Sequence, residues 1–288
     1  MKLGRKYKLT IELEDGEAIE ITDPLTCEFQ IERNANASLN NATFKIFNLS
    51  KTNSNQLTQN RYTAARADGK RKAVVFQVGY GDLSIAFTGS ILEAYPYRQG
   101  SNVITFINAQ DGGFEAYTKF SNLTLSAGTT FLDAFKSLVG GLGLQLGAIG
   151  ETTGSYKRGK ALIGNTFSLL SRDFKDEFFI DLGKVNKLAV NEYIKGAGGA
   201  IQITSETGLI GTPILQGTRL VVEMLLEPRI NVGNLVDIKS SINPKFDGQY
   251  KVIGINHSGI ISEASSGQAR TVLQLDTGNK LAGELKGV

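Results

Sequence analysis

Few residues in this chain could carry out bond chemistry. Among 288 residues there is one histidine, His257, and one cysteine, Cys27. His257 ends an alternating run in which Val252, Gly254 and Asn256 oppose Ile253, Ile255 and His257. With no second histidine to share a metal, the reading is a strand histidine that needs one hydrogen-bond partner. Cys27 falls on one face with Phe29 and Ile31, which predicts a buried and inert thiol. A lone cysteine excludes an intramolecular disulfide and every multi-cysteine zinc cluster. Four carboxylates, Asp173, Asp176, Glu177 and Asp181, crowd the end of a helical stretch. Two of them on one face could hydrolyse a glycosidic bond. Arg172 and Lys175 interleave with them, however, as on an ordinary solvated helix. The run from Gly140 to Gly147 follows a helix, and its glycine spacing is one residue too long for a dinucleotide fingerprint, so it reads as a helix stop. Gly196, Gly198 and Gly199 lack the Lys-Ser/Thr ending of a phosphate loop and read as a hairpin or linker. No catalytic residue, cofactor or metal is predicted.

Composition narrows the class further. Lys and Arg total 31 against 28 Asp and Glu, a net charge of +3, which gives no global attraction to nucleic acid. Asp68 to Lys72 form a short basic stretch without interleaved aromatics and read as a solvated loop tip. The absence of tryptophan argues against a sugar-stacking module. No apolar run reaches the roughly 18 residues of a membrane span, and the first residues lack the apolar segment of a signal peptide. The expectation is a soluble protein made in the cytoplasm, without stable membrane association.

The elements that must position these residues are mainly strands. Tyr7, Leu9, Ile11 and Leu13 alternate with polar residues, Asp15-Gly16 supplies a hairpin turn, and Ile19, Ile21, Cys27, Phe29 and Ile31 continue the pattern. From Ala42 to Leu49, Phe44 and Ile46 share one face while Lys45, Phe47 and Leu49 take the other, so both faces are expected to be partly covered. Ser50 reads as the N-cap of a short polar helix reaching about Arg66. Strands follow at Ala73 to Gly79, Ser84 to Tyr95 and Asn102 to Asn108. The period becomes helical at Phe131, Leu132, Phe135, Leu138 and Val139, with the stop placed at Gly140-Gly141, and again from Asn165 to Lys175. Strands resume at Arg219 to Leu226, Leu235 to Lys239, Tyr250 to His257 and Thr271 to Asp276. The predicted fold is mainly β (α+β). Residues 1–115 and 206–288 form two tube-like β-barrel or sandwich domains, and 116–205 form a small mixed α and β insertion. Both sides of the Tyr250 to His257 strand are apolar, so a partner chain is expected to cover one of them.

Two segments are more specific than their composition. Ala42-Thr43-Phe44-Lys45-Ile46-Phe47-Asn48-Leu49-Ser50 resembles the strand end recurrent in the N-terminal tube-like domain of phage tail proteins. Gly208 to Pro213, Val222 to Val236 and Gly248 to Gly259 together resemble the C-terminal barrel of baseplate hub proteins from contractile-tailed phages. The resemblance covers nearly the whole chain and brings no catalytic residue with it.

What it implies is a structural virion protein of the tail baseplate, a tail-tube initiator assembled in the bacterial host. Three copies would form a pseudo-sixfold ring between the sixfold tail tube and the threefold central spike. Further partners would be other baseplate proteins and the tape-measure protein, with DNA present only in transit through the lumen. Phe44, Phe47, Leu49, Tyr250, Val252 and Ile255 are the expected assembly-interface residues. Two close relatives of this reading are the hub of a tailocin-like particle and the distal tail protein of a non-contractile phage. A cell-wall glycan hydrolase using Asp173 and Glu177 is the alternative from another class.

Overall fold

The computed structural model describes residues 4–13, 16–60, 72–174, 177–196, 199–263, 267–277 and 286–287. Alternation at period two builds the N-terminal strands: β1 (Arg5–Glu12), β2 (Ala18–Thr22), β3 (Cys27–Asn34) and β4 (Asn41–Phe47). In each, every second side chain is removed from solvent, so register is fixed by burial. Gly16 takes φ +89° at the first hairpin, and Asp15 beside it lies outside the described residues. Helix α1 (Lys51–Leu57) is capped by Ser50, whose hydroxyl accepts from the Asn53 N–H at 3.2 Å. It is shorter than the sequence suggests. After Leu57 the chain turns extended, and Gln59 exchanges backbone hydrogen bonds with Ala94, while 61–66 lie outside the described residues. Then come β5 (Ala73–Tyr80), the long β6 (Asp82–Gln99) and β7 (Asn102–Gln110).

The middle of the chain holds α2 (Gly113–Thr118), β8 (Phe120–Leu125), α3 (Phe131–Leu142), β9 (Gln145–Ile149), β10 (Lys160–Asn165), α4 (Thr166–Phe174), β11 (Phe178–Asp181), β12 (Lys184–Lys187), β13 (Glu192–Tyr193) and β14 (Ile201–Ile203). Helix α3 does not stop at Gly140-Gly141. It runs through both to Leu142 and ends at Gly143, which adopts φ +81° and donates its N–H to the carbonyls of Val139 and Gly140. Gly141 serves close approach instead, because a Cβ there would lie 2.6 Å from Ser121 Oγ on β8.

The last third contributes β15 (Leu209–Gln216), β16 (Arg219–Leu225), β17 (Leu235–Ile238), β18 (Gly248–Ile261), β19 (Ala269–Asp276) and β20 (Lys286–Gly287). Most strands of the two outer thirds join one 13-stranded sheet, in the order β15-β16-β19-β18-β3-β4-β7-β6-β5-β1-β2, with β17 attached to β18 and β14 to β17. The joint is the antiparallel pairing of β3 with β18, from Gly254 opposite Asn34 to Ile261 opposite Cys27. The architecture is mainly β with a mixed α and β middle, as the periodicity predicts.

The buried apolar residues gather in three cores. The first gathers Tyr7, Phe29 and Phe44 around Phe76, with ring centroids 6.2, 5.0 and 4.9 Å from it. The second contains Val222, Val236, Tyr250, Val252 and Leu273, and the third packs Phe135, Leu138 and Leu170 between α3 and α4. The first core also takes Leu226, Ile261 and Ala269 from the last third, and the second takes Phe179, Leu188 and Ile203 from the middle.

Candidate assembly surfaces and the buried junction

Five of the six residues expected at an interface lie inside the chain. Phe44 is fully buried against Phe76 and Phe87, Leu49 is buried in the same core, and Tyr250, Val252 and Ile255 belong to the second core. The physical reason on β18 is a bulge between Val252 and Gly254. It shifts the alternation by one residue, so Tyr250 and Val252 before it and Ile255 after it point into the same interior. On the opposite side Lys251 is buried beneath the segment after β12, its ammonium donating to the carbonyl oxygen of Ala189 at 2.8 Å. Burial pushes the Lys251 pKa down to about 8. Around Tyr250 to Val252 the chain therefore covers both sides of this strand by itself, and the apolar pattern there does not call for a partner. Phe47, half-buried on the outer side of β4, is the one expected interface residue that stays within reach of another molecule.

A buried polar network in the interior is not anticipated by the sequence reading. The inward series on β3 runs Cys27, Phe29, Ile31 and then Arg33, which is 1% exposed. Its guanidinium donates to Asp181 of β11 through Nε at 2.7 Å and Nη2 at 2.6 Å, and Nη2 also reaches Asn231 Oδ1 at 2.8 Å. Asn40 donates to the Ile180 carbonyl oxygen at 2.7 Å and to Asp181 Oδ1 at 3.2 Å. Beside them Asp111 accepts from the Gly183 N–H at 2.9 Å. Burial, reinforced by the Asp181 charge, pushes Asp111 up to about 8, so near neutral pH it is mostly protonated. The junction thus ties together a strand of the first third, the β11 turn of the middle and the loop before β17. Alternation on β3 was the available signal, since position 33 continues an inward apolar series.

The carboxylates that could have formed a hydrolytic pair are engaged with cations. Asp173 receives Lys160 Nζ at 2.8 Å and Arg172 Nε at 2.9 Å. Burial works to raise its pKa, but these two cations hold it below the ordinary carboxylate value. Glu177 pairs with the buried Lys187, and Asp181 turns away to Arg33. Asp176 and Lys175 lie outside the described residues. Asp173 and Glu177 border a cleft of about 530 Å³ whose cations Lys160, Arg172 and Lys187 are all in these pairs.

His257 is fully buried, with Nδ1 2.9 Å from Thr271 Oγ1, and burial, aided by Arg33, depresses its pKa to about 3. Cys27 is fully buried, and burial raises its pKa above the ordinary thiol range, so it stays a neutral thiol. Lys72, read from sequence as part of a solvated tip, is instead buried and donates to the carbonyl oxygen of Gln56 at 2.6 Å, while 68–71 lie outside the described residues. Among the described residues no cluster of His, Cys, Asp and Glu is arranged to hold a metal, and no helix is long and apolar enough to cross a membrane.

Comparison with known proteins bears on this arrangement. The sequence model of a family described as Baseplate hub gp41 matches residues 7–260. Among solved structures, the 43 kDa tail protein of prophage MuSo2 from Shewanella oneidensis superposes with a TM-score of 0.60 at 10% identity, covering 94% of this chain and 96% of that one. A tail protein from Neisseria meningitidis gives the same values: TM-score 0.60, 10% identity, 94% and 96% coverage. An Escherichia coli component of the type VI secretion system, described as structurally similar to the T4 bacteriophage tail proteins gp27 and gp5, superposes at TM-score 0.55 and 8% identity over 88% of this chain and 74% of that one. At these identities the shared property is the fold. No curated protein sequence matches.

Proposed function

The chain belongs to the baseplate hub gp41 family, and from that premise we propose that its copies close into a homotrimeric ring between the tail tube and the central spike. Its role is that of a structural baseplate hub, a component of the phage tail. In this proposal residues 1–115 and 206–288 of each copy supply the two tube-like units that make three chains pseudo-sixfold, and 116–205 form the insertion between them. The tube and spike proteins are its direct partners, with other baseplate proteins and the tape-measure protein around them, and assembly takes place in the host cytoplasm. The hub acts by matching symmetries, without bond chemistry.

The observation that supports the ring is the sheet's pair of unlike ends. Among the described strands β2 pairs only with β1, and β15 only with β16. Unlike ends favour head-to-tail contact, which closes into a ring when the rotation between copies permits. Light scattering with negative-stain imaging of the same fraction, with and without a candidate spike protein, tests the proposal. The expected result is a particle of about three times the 31.1 kDa chain with a central opening. A particle that remains a single chain in the presence of spike and tube proteins overturns it.

A further inference from the structure

We propose that the outer face of the ribbon formed by β8 and β10 docks an acidic segment with apolar anchors, supplied by another protein of the tail. The inference rests on the family's place in a tail and does not need the ring. Alternation gives the two strands two unlike faces. Leu125 and Leu162 enter the third core, and Ser121 bonds Thr166 at 2.8 Å. The other face sets Ala161 opposite Thr124, Ile163 opposite Asn122 and Asn165 opposite Phe120. Phe120 is 73% exposed and Ile163 68%, and the two are diagonal neighbours across the ribbon, within reach of large side chains. Tyr117 of α2, three residues before Phe120, is 51% exposed. A single exposed apolar side chain is ordinary, whereas a group of them on a regular face marks a contact surface.

Charge selects the occupant. Lys and Arg balance Asp and Glu in residues 1–115, 13 against 13, and in 206–288, 8 against 8. The chain's net charge of +3 therefore resides in 116–205, which has 10 against 7. Much of the acid there is already engaged. Asp181 meets Arg33, Glu192 accepts from the Glu151 and Ala189 N–H groups while 2% exposed, and Asp173 and Glu177 hold Lys160, Arg172 and Lys187. Asp133 and Glu151 remain at the surface. The outward cations include Lys119, directly before β8, and Lys157 and Arg158, just before β10. Because the strands are antiparallel, these stand at opposite ends of the ribbon. No ion pair among the described residues engages them. An acidic segment complements such a surface. The edges of the ribbon narrow the partner to protein. Among the described strands β8 and β10 pair only with each other, so both edges present backbone groups that an extended chain can satisfy and lipid cannot.

The test replaces Phe120 and Ile163, one at a time, with the photo-crosslinking residue benzoylphenylalanine in the full chain, co-produced with the other proteins of its tail. Lys6, on the exposed side of β1, is replaced in the same way as the control. Irradiation followed by mass spectrometry reads the captured sequence. Positions 120 and 163 are expected to capture one segment of another tail protein, richer in Asp and Glu than in Lys and Arg, at roughly ten times the yield at position 6. Lys119→Glu with Arg158→Glu is expected to cut that capture roughly tenfold while the melting temperature holds. Yields at 120 and 163 no higher than at 6 overturn the inference, as does capture of a second copy of this chain or of a segment that is not acidic. Flotation with vesicles of phosphatidylglycerol and phosphatidylethanolamine, with and without Phe120→Ser, tests for lipid. Vesicle binding that Phe120→Ser abolishes assigns the face to a membrane and also overturns the inference. Images of the same fraction read the ring separately. A ring without capture sinks the inference and leaves the ring reading standing, and capture without a ring does the reverse.

Discussion

Arg33 and Asp181 are 148 residues apart in sequence and meet as a buried, two-pronged ion pair at 2.7 and 2.6 Å. The pair fixes the β11 turn against the back of β3, so the middle of the chain is held to the main sheet by charge as well as by packing. Breaking one side leaves the other charge buried without compensation. Arg33→Met and Asp181→Ala are each expected to cost about 3–5 kcal/mol, and Arg33→Met with Asp181→Leu to recover much of the loss. Urea unfolding of the singles and the double checks this. If the double is no more stable than the singles, the pair does not act as a unit.

The pH dependence near this junction has two opposing contributions. Asp111 has a folded pKa of about 8 against about 3.9 for a free carboxyl, so the folded state binds the extra proton between them. Its contribution to stability is fully present below the unfolded value and is lost as pH rises through the folded one. At pH 5 to 8.5, Asp111→Asn should flatten the fall in melting temperature, since each unit between the two pKa values is worth about 1.4 kcal/mol. A slope unchanged by the substitution would show that Asp111 is ionised in the fold.

His257 works in the acid direction. Its folded pKa of about 3 lies below the unfolded value of about 6.5, so the unfolded state binds the extra proton. Its contribution is complete above the unfolded value and declines as pH falls through that range toward the folded one. His257→Gln keeps a group able to bond Thr271 and cannot gain a charge. The variant should lose less stability than the parent between pH 6.5 and 4, measured by thermal melts at stepped pH. An identical acid limb would mean that His257 is solvated or paired when charged.

Two adjacent glycines separate helix propensity from packing. No atom lies within 4 Å of a Cβ built at Gly140, so Gly140→Ala should stabilise the fold by up to about 1 kcal/mol. At Gly141 the same change meets Ser121 Oγ at 2.6 Å, and that hydroxyl is held by Thr166 at 2.8 Å. Gly141→Ala should destabilise by about 1–3 kcal/mol despite its better propensity. Melting temperatures that move together would show that α3 does not pack on β8 as described.

The same glycines show what sequence could and could not reveal. The strands were legible because burial on one face writes itself as alternation, as Tyr7, Leu9 and Ile11 do on β1. Gly140 and Gly141 suggested a stop because glycine usually ends helices, while the close approach of Ser121 that requires the second one is a tertiary fact. On β18 the apolar residues were legible but their direction was not, since the bulge after Val252 leaves no mark in the sequence. Arg33 stood in plain alternation with Ile31, yet an arginine at an inward position makes sense only when its acceptor is known. Burial also withdrew Phe44, Leu49, Tyr250, Val252 and Ile255 from any surface, leaving Phe47 of the expected interface residues.

The remaining prediction concerns the free ends of the sheet. On β15, Ile214 and Leu215 are 55% and 52% exposed at the edge strand, an apolar edge of the kind that soluble chains usually protect. Both side chains are more than half exposed, so replacing them with lysine should move folding stability by no more than about 0.5 kcal/mol per site. Ring closure should be lost if this edge meets β2 of the next copy, because two lysine charges would have to be desolvated at the contact. Light scattering reads the outcome, with thermal melts confirming that the variant is folded. A folded variant that still forms the ring places the contact between copies away from β15, and Phe47 on β4 becomes the next position to change.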